Sequence, residues 1–200
     1  MRVKLVALDL DDTLLDPGLM ISPQCVKAIQ EVRRQGVVVT ISTGRMYSSA
    51  LPYAMQLKLD VPLITYQGAL VKCSISGEVL YYKPVPAQYA REVMELFRDA
   101  GVHYHGYFND RLCMERLSPE GVDYAALAGV KAVVVEDLLA EAGRQETLKI
   151  MAIINDEEAI LDMQQRLRGA YGDKLHITPY DRKRIPYLVS DACRQLTNDI

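Results

Sequence analysis

VKLVALDLDDTLLD, residues 3–16, is the stretch that decides how the rest of the chain is read. Val3 to Leu8 is a short apolar run that stops at Asp9, the pattern of a parallel strand buried on both faces. Asp9 therefore falls at the carboxyl end of a first strand, where open α/β sheets collect their ligands. Working outward, Ser22-Pro23 supplies an N-cap followed by proline at the first helical position. Val26, Ile29 and Val32 then recur at helical spacing until Gly36. Val37 to Ile41 predicts a second strand, Ser42-Thr43-Gly44 a turn, Met46 to Leu57 a second helix, and Leu63 to Tyr66 a third strand. Strand and helix in alternation predict an α/β fold, a doubly wound, Rossmann-like parallel sheet.

After Tyr66 the rhythm changes. Leu70 to Tyr82 predicts a hairpin turning at Ser76-Gly77, and Lys83-Pro84-Val85-Pro86 reads as a hinge. Beyond it the spacing predicts a helix over Tyr89 to Ala100 and paired strands over His103 to Phe108 and Leu112 to Leu117. A short helix near Asp123 to Leu127 follows, then strands at Val130 to Val135 and Leu148 to Ile154, a helix from Glu157 to Leu167, and a last strand at Lys174 to Thr178. This order is α+β. The expected organisation is a core segment over 1–82, an α+β domain over 83–180, and the start of a return to the core over 181–200.

Half of the 200 residues are hydrophobic and about a quarter charged, so the chain can bury a core, and disordered and fibrous classes are excluded. The formal net charge is −3 and the basic residues are scattered, which argues against a nucleic-acid backbone or an anionic membrane as partner and for a small molecule. Cys25, Cys73, Cys113 and Cys193 lie far apart without a CxxC pair and read as reduced thiols. His103 and His105 share one strand face, a pattern more common in cores and surfaces than in zinc sites. The N-terminal apolar run is too short for a signal peptide or a membrane span, so a cytoplasmic location is expected.

Asp9, Asp11 and Thr13 form a DxDxT pattern, which arises by chance in on the order of a few per cent of chains this long. Its place at a strand end gives it weight. Asp9 can attack a phosphoryl group to give an aspartyl-phosphate, and Asp11 can serve the leaving oxygen as general acid and then the hydrolytic water as base. Two carboxylates facing a phosphate need a divalent cation between them, and Mg²⁺ suits an all-oxygen site. The competing view makes Asp11, Asp12 and Asp16 a polar turn that caps backbone groups. Ser42-Thr43-Gly44-Arg45 at the next strand end weakens it, because Thr43 and the N–H groups opening the following helix can hold phosphate oxygens. Thr43 can equally N-cap that helix.

Asp9-Leu10-Asp11-Asp12-Thr13-Leu14-Leu15-Asp16 and Ser42-Thr43-Gly44-Arg45 together resemble motifs I and II of the haloacid dehalogenase superfamily, most closely its Cof-type sugar-phosphate phosphatases. The resemblance implies a HAD-like core with an inserted α+β cap domain. It makes Asp9 nucleophile and metal ligand, and Asp11 general acid/base and a Mg²⁺ ligand through its backbone carbonyl. Thr43 becomes the phosphate-binding hydroxyl, and the substrate a small phosphorylated metabolite such as a sugar phosphate; Thr43, Gly44 and Arg45 are together the expected substrate-binding residues. The alternatives are a phosphomutase of the same superfamily, a phospho-accepting receiver domain, and a truncated paralogue without turnover.

Three departures from the family pattern stand out. Gln67-Gly68-Ala69 replaces Asn-Gly-Ala after the third strand. No lysine motif aligns after the cap, since Lys183 lies in Arg182-Lys183-Arg184, read as a solvated loop. Arg194-Gln195 stands where Gly-Asp belongs, so Asn198-Asp199-Ile200 is read as a coincidental echo of the last metal-binding element. Residues 1–200 alone are therefore expected to hydrolyse little phosphate ester. They are also expected to form a homodimer through the edge of the first strand or to behave poorly in solution.

Overall fold

The computed structural model describes residues 3–182 and 185–191, with side chains as far as Thr178. The chain divides between Tyr82 and Lys83 into two compact units.

In the first unit, β1 (Leu5–Leu8), α1 (Pro23–Arg34), β2 (Val38–Ile41), α2 (Tyr47–Gln56) and β3 (Pro62–Thr65) alternate, followed by β4 (Leu70–Cys73) and β5 (Val79–Tyr82). α1 starts where Ser22 accepts from the Cys25 N–H and Pro23 fills a position that needs no donor. It ends before Gly36, whose φ of 81° is the left-handed conformation that lets the chain leave the last turn. β1 and β2 pair in parallel from Leu5↔Val38 to Leu8↔Ile41. The carboxyl end of β2 reaches β3 through a parallel bridge, Ser42↔Ile64, and β3, β4 and β5 follow as an antiparallel meander.

Burial on both faces, expected for the first strand, holds for β2 and fails for β1. Val39, Thr40 and Ile41 are buried, whereas Leu5 is 58% exposed. The cause is local: among the described residues β1 has one strand neighbour, β2.

The second unit is a six-stranded sheet in the order β10-β11-β9-β6-β7-β8. Its strands are β6 (His103–Phe108), β7 (Arg111–Met114), β8 (Ala132–Val134), β9 (Thr147–Ile153), β10 (His176–Arg182) and β11 (Ile185–Asp191), and its helices α3 (Ala87–Asp99), α4 (Pro119–Ala128), α5 (Leu138–Arg144) and α6 (Glu157–Tyr171). α3 presents Ala90, Val93, Met94 and Phe97 at helical spacing, and all four enter one cluster with Ile150, Ala152 and Met163. Burying a side chain such as Phe97 is worth about 1.5–3 kcal/mol.

Two elements escaped the sequence reading. α5 has seven residues, too few for periodicity to declare it, although Asp137 caps it on the Leu139 N–H. β11 lies between β10 and β9, so residues 185–191 extend the second unit's sheet, whereas a return to the core was expected from 181. Pro186 obscured it. The proline falls before the stretch in which β11 pairs with β9, which begins at Tyr187↔Ile153, the kind of position where a missing N–H is tolerated. Lys183, Arg184, Cys193, Arg194, Gln195 and the Asn198-Asp199-Ile200 echo lie outside the described residues.

Candidate active site

Residues 9–16 are shaped by an alternation of anchors and polar groups. Leu10, Leu14 and Leu15 are buried, and the Leu15 N–H closes a wide turn on the Leu10 carbonyl at 2.9 Å. Asp9, Asp12 and Thr13 are left exposed and Asp11 half-buried. Asp12 sits at φ 56°, a conformation that aspartate tolerates better than most residues. Asp16 is a capping residue, as the competing view of the acidic run proposed: its Oδ1 accepts from Gly18 and Met20 N–H at 2.8 and 2.9 Å.

Asp9 directly follows the Leu8↔Ile41 pair, and the Ser42 N–H donates to the Leu8 carbonyl, so Asp9 and Ser42-Thr43 leave adjacent parallel strand ends. One Asp9 oxygen accepts from the Leu10 N–H at 2.8 Å. The 43–45 turn is tied to the end of β3: Thr43 N–H donates to Ile64 O, Gln67 N–H to Thr43 O, and Tyr66 N–H to Arg45 O. Tyr66 and Gln67 both take positive φ, 51° and 52°, a strained arrangement of the sort that collects at functional loops. The Gln67 side chain lies over Gly44, where an added Cβ would meet it at 3.4 Å. Thr43 is buried, and its hydroxyl accepts from the Arg45 N–H at 3.2 Å. It does not cap α2, whose N-cap is Met46.

The strongest side-chain contact is one the sequence did not announce. Arg45 Nε donates to Asp11 Oδ2 at 3.0 Å and Nη2 to Oδ1 at 2.8 Å, a two-bond fork. The pair is largely removed from water, with side-chain exposures of 9% for Arg45 and 15% for Asp11. Arg45 Nη1 donates to Ser49 Oγ at 3.2 Å, and the guanidinium carbon stands 5.5 Å from the Tyr53 ring centroid. Arg45, Ser49 and Tyr53 recur every four residues, which is the one sequence signal that marks them as a single face.

A hard, oxygen-seeking cation fits the donors at this strand end, which are carboxylate and carbonyl oxygens. Among the described residues no three acidic, histidine or cysteine side chains gather into a metal cluster. With the Asp11 carboxylate engaged by Arg45, the donors here are the Asp9 carboxylate and main-chain carbonyls. Mg²⁺ commonly takes one or two protein oxygens and fills the rest of its shell with water and phosphate.

The fold is thus of the α/β class, a Rossmann-like unit with acidic residues at its first strand end, followed in sequence by an α+β unit. Comparison with known proteins places the chain further. A family model described as haloacid dehalogenase-like hydrolase matches residues 6–188, and the chain belongs to that family. A Streptococcus pyogenes protein that carries the name phosphatase is 31% identical over 208 residues, covering 95% of this chain and 72% of that protein. The pyridoxal phosphate phosphatase YbhA of Escherichia coli is 30% identical over 115 residues, and the match spans 42% of its length. The crystal structure of TM0651 from Thermotoga maritima superposes with a TM-score of 0.81 at 25% identity, over 96% of this chain and 70% of that one.

Proposed function

We propose that this protein is a Mg²⁺-dependent phosphatase that hydrolyses a small phosphate monoester through an aspartyl-phosphate on Asp9. The observation that carries the reading is the pairing at the end of β1 of an exposed carboxylate, Asp9, with a second, Asp11, held in a fixed orientation by Arg45. The first is exposed and the second is held in one orientation.

In this mechanism Asp11 first takes up a proton from solvent; an Asp9 oxygen then attacks phosphorus, the bond to the leaving oxygen breaks, and Asp11 passes that proton to the leaving oxygen. Water then attacks the phosphorus of the acyl phosphate while Asp11 takes the water's proton. Inorganic phosphate leaves and Asp9 is restored. The Thr43 hydroxyl is the group of this turn assigned to the phosphate, since the Thr43 and Arg45 N–H groups are engaged on Ile64 O and Thr43 Oγ. Bound Mg²⁺, on the Asp9 carboxylate and the Asp11 carbonyl, would supply positive charge to offset the repulsion between phosphate and carboxylates.

Relatives named for pyridoxal phosphate and for HMP-PP support a small phosphorylated metabolite as substrate. A cytoplasmic location is proposed as well, and among the described residues Cys25, Cys73 and Cys113 form no disulfide. Among the described residues no helix is long and apolar enough to cross a membrane. The test is Asp9→Asn assayed on p-nitrophenyl phosphate, together with trapping by beryllium fluoride and Mg²⁺, which should form a phosphoryl mimic on Asp9. Undiminished hydrolysis by Asp9→Asn rules out Asp9 as nucleophile.

A further inference from the structure

The turn that carries Thr43 invites the reading that Arg45, two residues on, grips the phosphate as well. The geometry argues otherwise. All three guanidinium nitrogens already have protein partners, two on Asp11 and one on Ser49, and the group lies against the Tyr53 ring. Its backbone is held at both ends, the N–H on Thr43 Oγ and the carbonyl by the Tyr66 N–H. The side chain is 9% exposed, so little of it faces an incoming anion.

We propose that Arg45 is a positioning residue for Asp11: it fixes the plane and direction of that carboxylate and acts on the reaction through it. This deepens, and rests on, the phosphoryl-transfer reading above. A carboxylate free to turn about its χ2 bond spends little time aimed at the leaving oxygen. A planar fork bonded to both of its oxygens removes that freedom, and the fork is itself anchored to α2 through Ser49. A lysine, with a compact ammonium, keeps the charge and loses the fork.

The consequence is a dependence on the leaving group. An alkyl phosphate departs as a strongly basic alkoxide and needs the proton that Asp11 delivers, whereas p-nitrophenolate departs without help. Arg45→Ala should lower kcat/KM on an alkyl phosphate such as glycerol phosphate by about 10²-fold while costing less than about threefold on p-nitrophenyl phosphate. Arg45→Lys should recover only part of the alkyl loss, and Arg45→Ala added to Asp11→Ala should cost nothing further. A readout independent of turnover is the ¹⁵N resonance of Arg45 Nε–H in the full chain, which should shift in Asp11→Ala and stay in place when inorganic phosphate is added with Mg²⁺.

Equal losses on both esters overturn the proposal. So does a phosphate-induced shift of the Arg45 resonance that persists in Asp11→Ala, since either result makes Arg45 a phosphate ligand. If Asp9→Asn hydrolyses both esters as fast as the unsubstituted protein, the phosphoryl-transfer reading falls and this proposal with it. That failure is recognisable because the Arg45 signal would still respond to Asp11→Ala.

Discussion

β1, the strand that ends in Asp9, leaves Leu5 58% exposed, whereas all seven residues of β9 in the second unit are buried. Both strands are rich in aliphatic residues. They differ in neighbours: β9 is paired on both sides, by β11 and β6, and among the described residues β1 is paired on one, by β2. Burial is thus set by the ladder around a strand more than by its own composition. The comparison also separates two tasks. The first unit carries Asp9 and Asp11 just past a strand end, between short elements, and the second concentrates its apolar mass against α3, α5 and α6.

The largest effect that would test this division is on turnover. Asp9→Asn should cut kcat by on the order of 10⁴-fold or more, as loss of a catalytic nucleophile does. Thermal stability should stay within about 0.5 kcal/mol, since the side chain is exposed. A large drop in melting temperature would show that Asp9 is a structural residue. On the other side of the comparison, Phe97→Ala removes a fully buried ring from the second unit's core and should destabilise that unit by about 3–5 kcal/mol. Hydrogen exchange resolved by residue checks it: amides of β6 and β9 should exchange faster while those of β2 hold.

A smaller, pH-dependent effect comes from the opposite face of the second unit's sheet. His105 is fully buried, its Nδ1 lies 3.2 Å from His103 Nε2, its ring lies 4.6 Å from that of Tyr124, and among the described residues its Nε2 has no hydrogen-bond partner. Burial, then the nearby His103 and Lys149, hold it well below its ordinary value of 6.5 and therefore neutral. Burial lowers His103 as well, against the opposing pull of Glu120. Below pH 6.5 the unfolded chain binds protons that the folded unit refuses, so stability is full above that value and falls as the pH drops through it. Each such histidine contributes a slope of up to about 1.4 kcal/mol per pH unit. Urea denaturation between pH 7 and 5 should show the fall, and His105→Gln should flatten it. A slope unchanged in the variant would assign the pH dependence elsewhere.

The smallest effect on stability, and the sharpest on association, should come from β1. An exposed apolar edge of this kind pairs with other chains. Leu5→Lys should leave folding stability within about 0.5 kcal/mol while shifting the mass seen by light scattering from dimer to monomer. A protein that is already monomeric at high concentration would show that β1 is not a pairing edge.

Much of this was readable from local signals. Ser22-Pro23 announced α1, the apolar run stopping at Asp9 announced β1, and Ser76-Gly77 lies in the turn between β4 and β5, because caps and turns are chemistry of adjacent residues. α5 was not readable, being two turns long, and neither was β11, whose proline argued against a strand. The pairing of Asp11 with Arg45 joins two loops far apart in sequence, and nothing near either residue encodes its partner. The sequence reading counts Arg45 among the substrate-binding residues, and its fork on Asp11 appears only in the fold.

The second unit follows the first in sequence from Lys83 onward. In modular terms it is a cassette. Exchanging residues 83–191 for the equivalent stretch of a relative with a known substrate places one junction at the 82/83 step and leaves Asp9, Asp11, Thr43 and Arg45 where they are. Such chimaeras would ask which module chooses the ester and which one cleaves it, a question that point substitutions in either unit answer only piecemeal.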